Sequence, residues 1–241
     1  MAKYKVVITA RSFGKADEKA YDCLREAGCE WIKLEESDGP LEEQLKEAIR
    51  DADALIAGLE DIGADIIEQA KRLKVISRYG VGYDKVDLSA AKEKGIQVTI
   101  TPGANGDSVA DLAVALMLDV ARNVTIMDTS IKSRSQRRPQ GLEMYEKTLG
   151  IIGAGRIGQG VGRRCRGFNM KILAYDVFED PAFKEETGAE YVDLDTLLRE
   201  ADFITVHSPL TEETHNMIST EQFKVMKKDA ILVNTARGGV L

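Results

Sequence analysis

Apolar residues along the chain fall into two patterns: short runs of four or five, many of them β-branched, and stretches where they recur every three or four positions. The first pattern marks buried strands and the second amphipathic helices. Residues 5–9 read as a strand, 15–27 as a helix closed by Gly28, 30–34 as a strand, and 41–50 as a helix started by Pro40. The alternation continues with a strand at 54–57, a helix at 64–73, a strand at 74–77, a helix at 88–94 closed by Gly95 and a strand at 96–100. Five strands alternating with helices predict a parallel sheet covered on both faces, because a parallel connection has to cross over.

Past Thr101-Pro102-Gly103, the residues Val109, Ala113, Leu116, Met117, Val120, Val124 and Met127 share a helical period and predict one long helix. Ser108 and Asp111 stand at capping-box spacing near its start. Residues 129–147 lose the period and carry Lys132, Arg134, Arg137, Arg138 and Pro139, the make-up of a linker or arm. Strands are then predicted at 148–152, 171–175, 190–192, 203–207 and 230–234, with helices running through Gly167, over 194–199 and over 221–226. The expected fold class is α/β: two doubly wound parallel-sheet units, 1–103 and 104–241, with 105–147 forming a joining helix and arm.

Composition narrows the function classes. With 44% apolar and 30% charged residues, the sequence is ordinary for a globular chain, and no run nears the roughly 20 apolar residues that span a bilayer. No membrane partner is expected. Thirty-three basic against 40 acidic residues give a net charge of −7, the wrong sign for general binding to a phosphate backbone, so no nucleic-acid partner is expected either. The Arg134 to Arg138 cluster is read as a solvated arm. Cys23, Cys29 and Cys165 lack CxxC spacing and lie far from both histidines, which argues against a metal site and against a disulfide framework. The opening Met1-Ala2-Lys3-Tyr4-Lys5 runs into a strand without the apolar segment of a signal peptide, so a cytoplasmic location is expected.

The most informative motif is Gly153-Ala154-Gly155-Arg156-Ile157-Gly158, a GxGxxG that follows the strand at 148–152 and opens a helix. In that context Gly153 permits a tight turn, Gly155 lets backbone amides approach a pyrophosphate, and Gly158 lets helix and strand pack closely. Asp176 stands at the end of the next strand, 18 residues beyond Gly158. Its carboxylate can accept from both hydroxyls of an adenosine ribose and would repel a 2′-phosphate, which favours NAD over NADP as cofactor. Gly160 and Gly162 each cost a helix interior roughly 1 kcal/mol relative to alanine, for which close packing is the one available reason.

Five stretches extend the picture: Arg78-Tyr79-Gly80-Val81-Gly82-Tyr83-Asp84-Lys85-Val86-Asp87; Thr101-Pro102-Gly103-Ala104-Asn105; Lys147-Thr148-Leu149-Gly150 leading into the glycine loop; His207-Ser208-Pro209-Leu210-Thr211; and Val233-Asn234-Thr235-Ala236-Arg237-Gly238-Gly239. In these residues, over essentially its whole length, the chain resembles the D-isomer-specific 2-hydroxyacid dehydrogenases, and within them the phosphoglycerate-dehydrogenase-like branch. The resemblance implies a flavodoxin-like substrate domain and an incomplete Rossmann NAD-binding domain, a small 2-hydroxy or 2-keto acid as substrate, and a homodimer. It also assigns residues. Arg237 is the catalytic arginine, and Val81 and Gly82 present amides to the substrate carboxylate, as small residues at a carboxyl sheet edge can. Gly153, Gly155, Arg156, Ile157, Gly158, Asp176, His207, Pro209, Thr235 and Ala236 contact the cofactor. His207, tempting as a general acid, belongs on this reading to the loop lining the cofactor pocket, and His215 to the surface.

Members of this family complete their chemistry with a glutamate and a histidine placed after the arginine motif, and their nucleotide domain continues with two more strands. Neither residue is among these 241, which end at Val240-Leu241. The expectation is a truncated chain that binds cofactor and carboxylate but lacks turnover, because reduction of a 2-keto acid needs a proton donor within hydrogen-bond reach of the carbonyl. An unpaired edge at 230–234 is expected with it. The rival expectation is a non-catalytic NAD-binding interaction module of the corepressor type.

Overall fold

The computed structural model describes residues 3–135 and 137–241; Met1 and Ala2 at the N-terminus and Gln136 in the expected arm lie outside the described residues. The chain divides into two compact units, Met1–Ala104 and Asn105–Leu241.

In the first unit the chain runs β1 (Tyr4–Ile8), α1 (Lys19–Glu26), β2 (Cys29–Lys33), α2 (Leu41–Ala48), β3 (Ala54–Ala57), α3 (Ala64–Gln69), β4 (Val75–Arg78), α4 (Leu88–Glu93) and β5 (Gln97–Thr99). The strands form one parallel sheet in the order β2-β1-β3-β4-β5. Val6, Val7 and Ile8 are all buried, so β1 lies at the centre with both faces covered, which is why its sequence is a continuous apolar run. Val7, Leu55 and Ile76 pack with Leu45, Ile67 and Ala91 on one face, while Val6 and Ile8 pack with Phe13, Tyr21 and Leu24 on the other. Strand order reverses between β1 and β3, and crevices open at the carboxyl ends of strands where such reversals occur.

The second unit begins with α5 (Gly106–Arg122) and α6 (Val124–Lys132). It continues with β6 (Thr148–Ile152), α7 (Arg156–Cys165), β7 (Lys171–Tyr175), α8 (Pro181–Thr187), β8 (Glu190–Tyr191), α9 (Leu194–Glu200), β9 (Phe203–Val206), α10 (Thr220–Val225) and β10 (Ile231–Asn234). Its sheet is also parallel, in the order β10-β9-β6-β7-β8, with the reversal between β6 and β9. Ala110, Ala113 and Met117 of α5 join Val161 and Cys165 of α7 over Leu149 and Ile151, and Leu197 and Leu198 of α9 cover Leu173 and Ile204 on the opposite face.

Three expectations are corrected. The single long helix is two, because Asn123 takes the left-handed conformation (φ 55°, ψ 36°), which asparagine tolerates better than other L-residues. Asp119 then caps the second helix, its carboxylate accepting from the Thr125 amide at 2.7 Å and hydroxyl at 2.8 Å. This helix reaches Lys132, so the irregular arm begins only after it. The predicted Ser108–Asp111 cap is also absent: Ser108 lies inside the first turn after Asn105, and Asp111 instead accepts from Arg164 Nε at 2.5 Å, tying α5 to α7. Finally, the helix expected from residue 15 starts at Lys19. Gly14 at φ +74° and the Asp17 carboxylate, which accepts from the Lys19 amide at 2.9 Å, hold the preceding residues in turns.

Helix α8 carries no apolar period and was not predicted; only Phe183 on it is buried. Its signals are local, with Pro181 in the first turn and Asp180 accepting from the Ala182 and Phe183 amides at 2.9 and 3.3 Å. Phe183 also accounts for the costly glycines. A Cβ at Gly162 would stand 2.7 Å from its ring, and one at Gly160 would stand 3.2 Å from the Cβ of Ala110, so α7 is bare where α8 and α5 press against it.

Candidate functional site

The carboxyl edge of the second sheet gathers most of the residues singled out by sequence. Strand β6 ends at Ile152, and the chain turns sharply at Gly153 (φ +89°) to enter α7 at Arg156. A Cβ at Gly153 would lie 2.7 Å from the Ser208 amide nitrogen, and one at Gly158 would lie 2.2 Å from the Gly153 carbonyl oxygen. Only glycine fits either place. Gly155 differs, since a Cβ there would meet nothing within 4 Å and its backbone (φ −75°) suits any residue. It is exposed at the N-terminus of a ten-residue helix, where amides and helix dipole together favour an anion. Arg156 at the head of α7 is exposed and Ile157 half-buried.

Asp176 follows β7 directly, half-buried, with its Oδ1 accepting from the Phe178 amide at 3.1 Å. Val177 and Phe178 beside it are exposed. On the other side of β6, the His207 amide donates to the Ile152 carbonyl at 2.7 Å, continuing the ladder one residue beyond β9. The His207 ring has Thr205 Oγ1 2.8 Å from Nε2 and Thr235 Oγ1 3.2 Å from Nδ1. Hydroxyls can donate to one nitrogen and accept from the other, which suits the neutral ring. Burial pushes its pKa down from the ordinary 6.5 to about 4. Pro209 is exposed in the following loop, where its carbonyl accepts from the Thr214 hydroxyl at 2.5 Å, and His215 is exposed nearby.

Beyond β10, Asn234 shapes the turn that presents Arg237. Its Oδ1 accepts from the Ala236 amide at 2.9 Å, and its Nδ2 donates to the Arg237 carbonyl at 2.9 Å. Thr235 and Ala236 are half-buried while Arg237 is exposed, with its guanidinium donating to the Ala236 carbonyl at 3.0 Å. Among the described residues strand β10 pairs with β9 alone and forms the edge of this sheet.

Val81 and Gly82 lie in the first unit, in the loop after β4. The Tyr79 amide donates to the Ala57 carbonyl at 2.9 Å, Gly80 has φ +154°, and its carbonyl accepts from the Thr101 amide at 3.0 Å. Val81 is exposed. Sequence reasoning missed three supports of these loops: Arg78 beneath the Gly80 to Gly82 turn, Thr205 against the His207 ring, and Asn234 before Arg237. Asn234 had a legible signal, since asparagine often bonds to backbone two or three residues on. Thr205 sits in an apolar strand, where nothing local foretells its partner.

Residues 114–241 match a family model described as D-isomer specific 2-hydroxyacid dehydrogenase, NAD binding domain. The chain is 45% identical over 207 residues to glyoxylate reductase of Thermococcus litoralis, covering 82% of this chain and 62% of that one. It is 45% identical over 229 residues to D-3-phosphoglycerate dehydrogenase of Methanocaldococcus jannaschii, covering 93% of this chain and 43% of that one. Among solved structures, D-lactate dehydrogenase from Aquifex aeolicus, complexed with NAD and lactic acid, aligns at a TM-score of 0.82 and 30% identity over 98% of this chain and 70% of that one. The chain thus spans less than two thirds of the length of these two curated relatives.

The His207 ring gives a test by pH. Its pKa of about 4 lies below the ordinary 6.5, so the unfolded chain binds the proton more readily. The stability held by the neutral ring is therefore present above about 6.5 and is lost as pH falls through that value towards 4. In proton NMR the His207 ring signals are expected to stay constant from pH 8 to 5.5. A midpoint near 6.5 would refute the assignment of a neutral, sequestered ring.

Proposed function

Because the chain belongs to the D-isomer-specific 2-hydroxyacid dehydrogenase family, we propose that the whole protein exchanges a hydride between NAD and a small 2-hydroxy or 2-keto acid. NAD supplies the hydride acceptor or, once reduced, the donor. The observation that carries the reading is Gly155: a glycine at a helix N-terminus where a side chain would meet nothing within 4 Å, between two glycines that the fold itself demands. The Gly155 amide and the first turn of α7, with Arg156 and Ile157, hold the pyrophosphate. Asp176 takes the ribose hydroxyls, and its negative charge disfavours a 2′-phosphate. Pro209, Thr235 and Ala236 line the nucleotide, with His207 as a neutral polar wall. In the first unit the Val81 and Gly82 amides are donors suited to a carboxylate, and in the second the Arg237 guanidinium suits bidentate binding of an acid and polarisation of its carbonyl.

Neither histidine takes the acid–base role. At neutral pH His207 carries no proton to spare, and His215, which the resemblance assigns to the surface, is exposed in the turn beside Gly239. These 241 residues alone are therefore expected to bind NADH without measurable reduction of glyoxylate or hydroxypyruvate. The free cysteines, Cys23 exposed, Cys29 half-buried and Cys165 buried, fit a reducing compartment, and among the described residues no helix is long and apolar enough to cross a membrane.

The assembly we propose is a homodimer. Leu112, Leu116, Val120, Val124, Met127 and Ile131 are exposed along α5 and α6, and Ile131 is 77% exposed. A monomer has no use for such a stripe, and a second copy would bury it.

Two measurements test this reading. In fluorescence titrations the wild type should bind NADH more tightly than NADPH, and Asp176→Ala should lose most of that preference; a wild type that favours NADPH refutes the role of Asp176. Sedimentation at micromolar concentration should give twice the chain mass. A compact monomer there refutes the assembly.

A further inference from the structure

Among the described residues, Arg78 and Asp53 are the two charged residues buried in the first unit, each 4% exposed. Asp53 is compensated, since Arg72 donates to it at 3.0 Å and the Lys5 amide at 3.0 Å. Arg78 is not. Its Nε donates to the Gly82 carbonyl at 2.8 Å and its Nη1 to the Ala57 carbonyl at 2.9 Å, and among the described residues it pairs with no carboxylate. Glu60 is near in sequence to Ala57, but its Oε1 accepts from the Gly58 amide and the Thr9 hydroxyl, and its Oε2 is buried without a partner.

A buried guanidinium facing only neutral carbonyls remains short of negative charge, and burial leaves its field poorly screened. Two consequences follow at one place. The hydrogen bond to Gly82 closes the Gly80 to Gly82 loop onto the strand end, fixing where the Val81 and Gly82 amides stand. The unneutralised charge lies under that same loop, so an anion on the amides gains from it without touching it.

We propose that Arg78 is a positioning residue for anion binding, which makes the Gly80 to Gly82 loop a cradle for the carboxylate of a small carboxylic acid. This rests on the reading that the Val81 and Gly82 amides take the substrate carboxylate. It adds the reason that they select a negative group: the charge comes from beneath the loop, from a residue that does not contact substrate.

The test is an amide NMR titration of the full chain with oxamate, a 2-keto acid analogue, and with neutral oxamide as control. In the wild type the Val81 and Gly82 signals should shift saturably with oxamate and not with oxamide. R78K keeps the charge but cannot span both carbonyls, and should bind oxamate severalfold more weakly. R78Q loses the charge and should weaken binding about tenfold or more. NADH affinity and the thermal midpoint report whether each variant is folded, and R78K decides alone if R78Q is not. Folded variants that bind oxamate like the wild type overturn the role of Arg78 while leaving the carboxylate reading intact. Wild-type Val81 and Gly82 signals indifferent to oxamate overturn the carboxylate reading, and this inference with it.

Discussion

Helix α7 meets strand β6 at a distance that leaves no room for a methyl group: a Cβ at Gly158 would come within 2.2 Å of the Gly153 carbonyl oxygen. That contact fixes the direction of the helix relative to the sheet, and much of the second unit follows from it. The N-terminus of α7 is brought to the carboxyl edge at the point where strand order reverses. The bare surface at Gly160 and Gly162 lets α5 and α8 press in from two sides, and the Arg164 pairs with Asp107 and Asp111 hold α5 in place. The glycines that a helix ordinarily resists are here the condition for its position.

Charge is placed with similar economy. A chain of net charge −7 has to attract anions locally. The groups placed where they could do so are the helix N-terminus at Gly155, an arginine presented by the Asn234 turn, and a buried guanidinium behind the Gly80 to Gly82 loop. His207, the one titratable group that its position would suggest for proton transfer, is held neutral instead by burial between two threonine hydroxyls. The carboxyl edges therefore offer positive potential without an ionised imidazole.

Much of this was legible in the sequence, for identifiable reasons. Strands β3, β6 and β7 fell where apolar runs ended at turn residues, because strands buried on both faces leave an unbroken signal. The glycine loop was legible because two of its three glycines answer to steric demands and the third to none. What sequence missed was decided by side chains acting on backbone. Asp119 and Asn123 divide a helix whose apolar period runs on without a break, so periodicity alone could not find the joint. Helix α8 buries a single side chain and left no period at all. Arg78 ends a strand, where a basic residue ordinarily reaches solvent, and only the fold turns its head inward.

The central claim is that Gly155 is glycine for the sake of a ligand, whereas Gly153 and Gly158 are glycine for the sake of the fold. Gly155→Val separates the two, because its side chain would enter empty space on an unstrained backbone. Thermal unfolding and NADH titration of this variant, side by side with the wild type, should give an unchanged midpoint and a loss of NADH binding. NADH affinity equal to wild type in the folded variant would contradict the account.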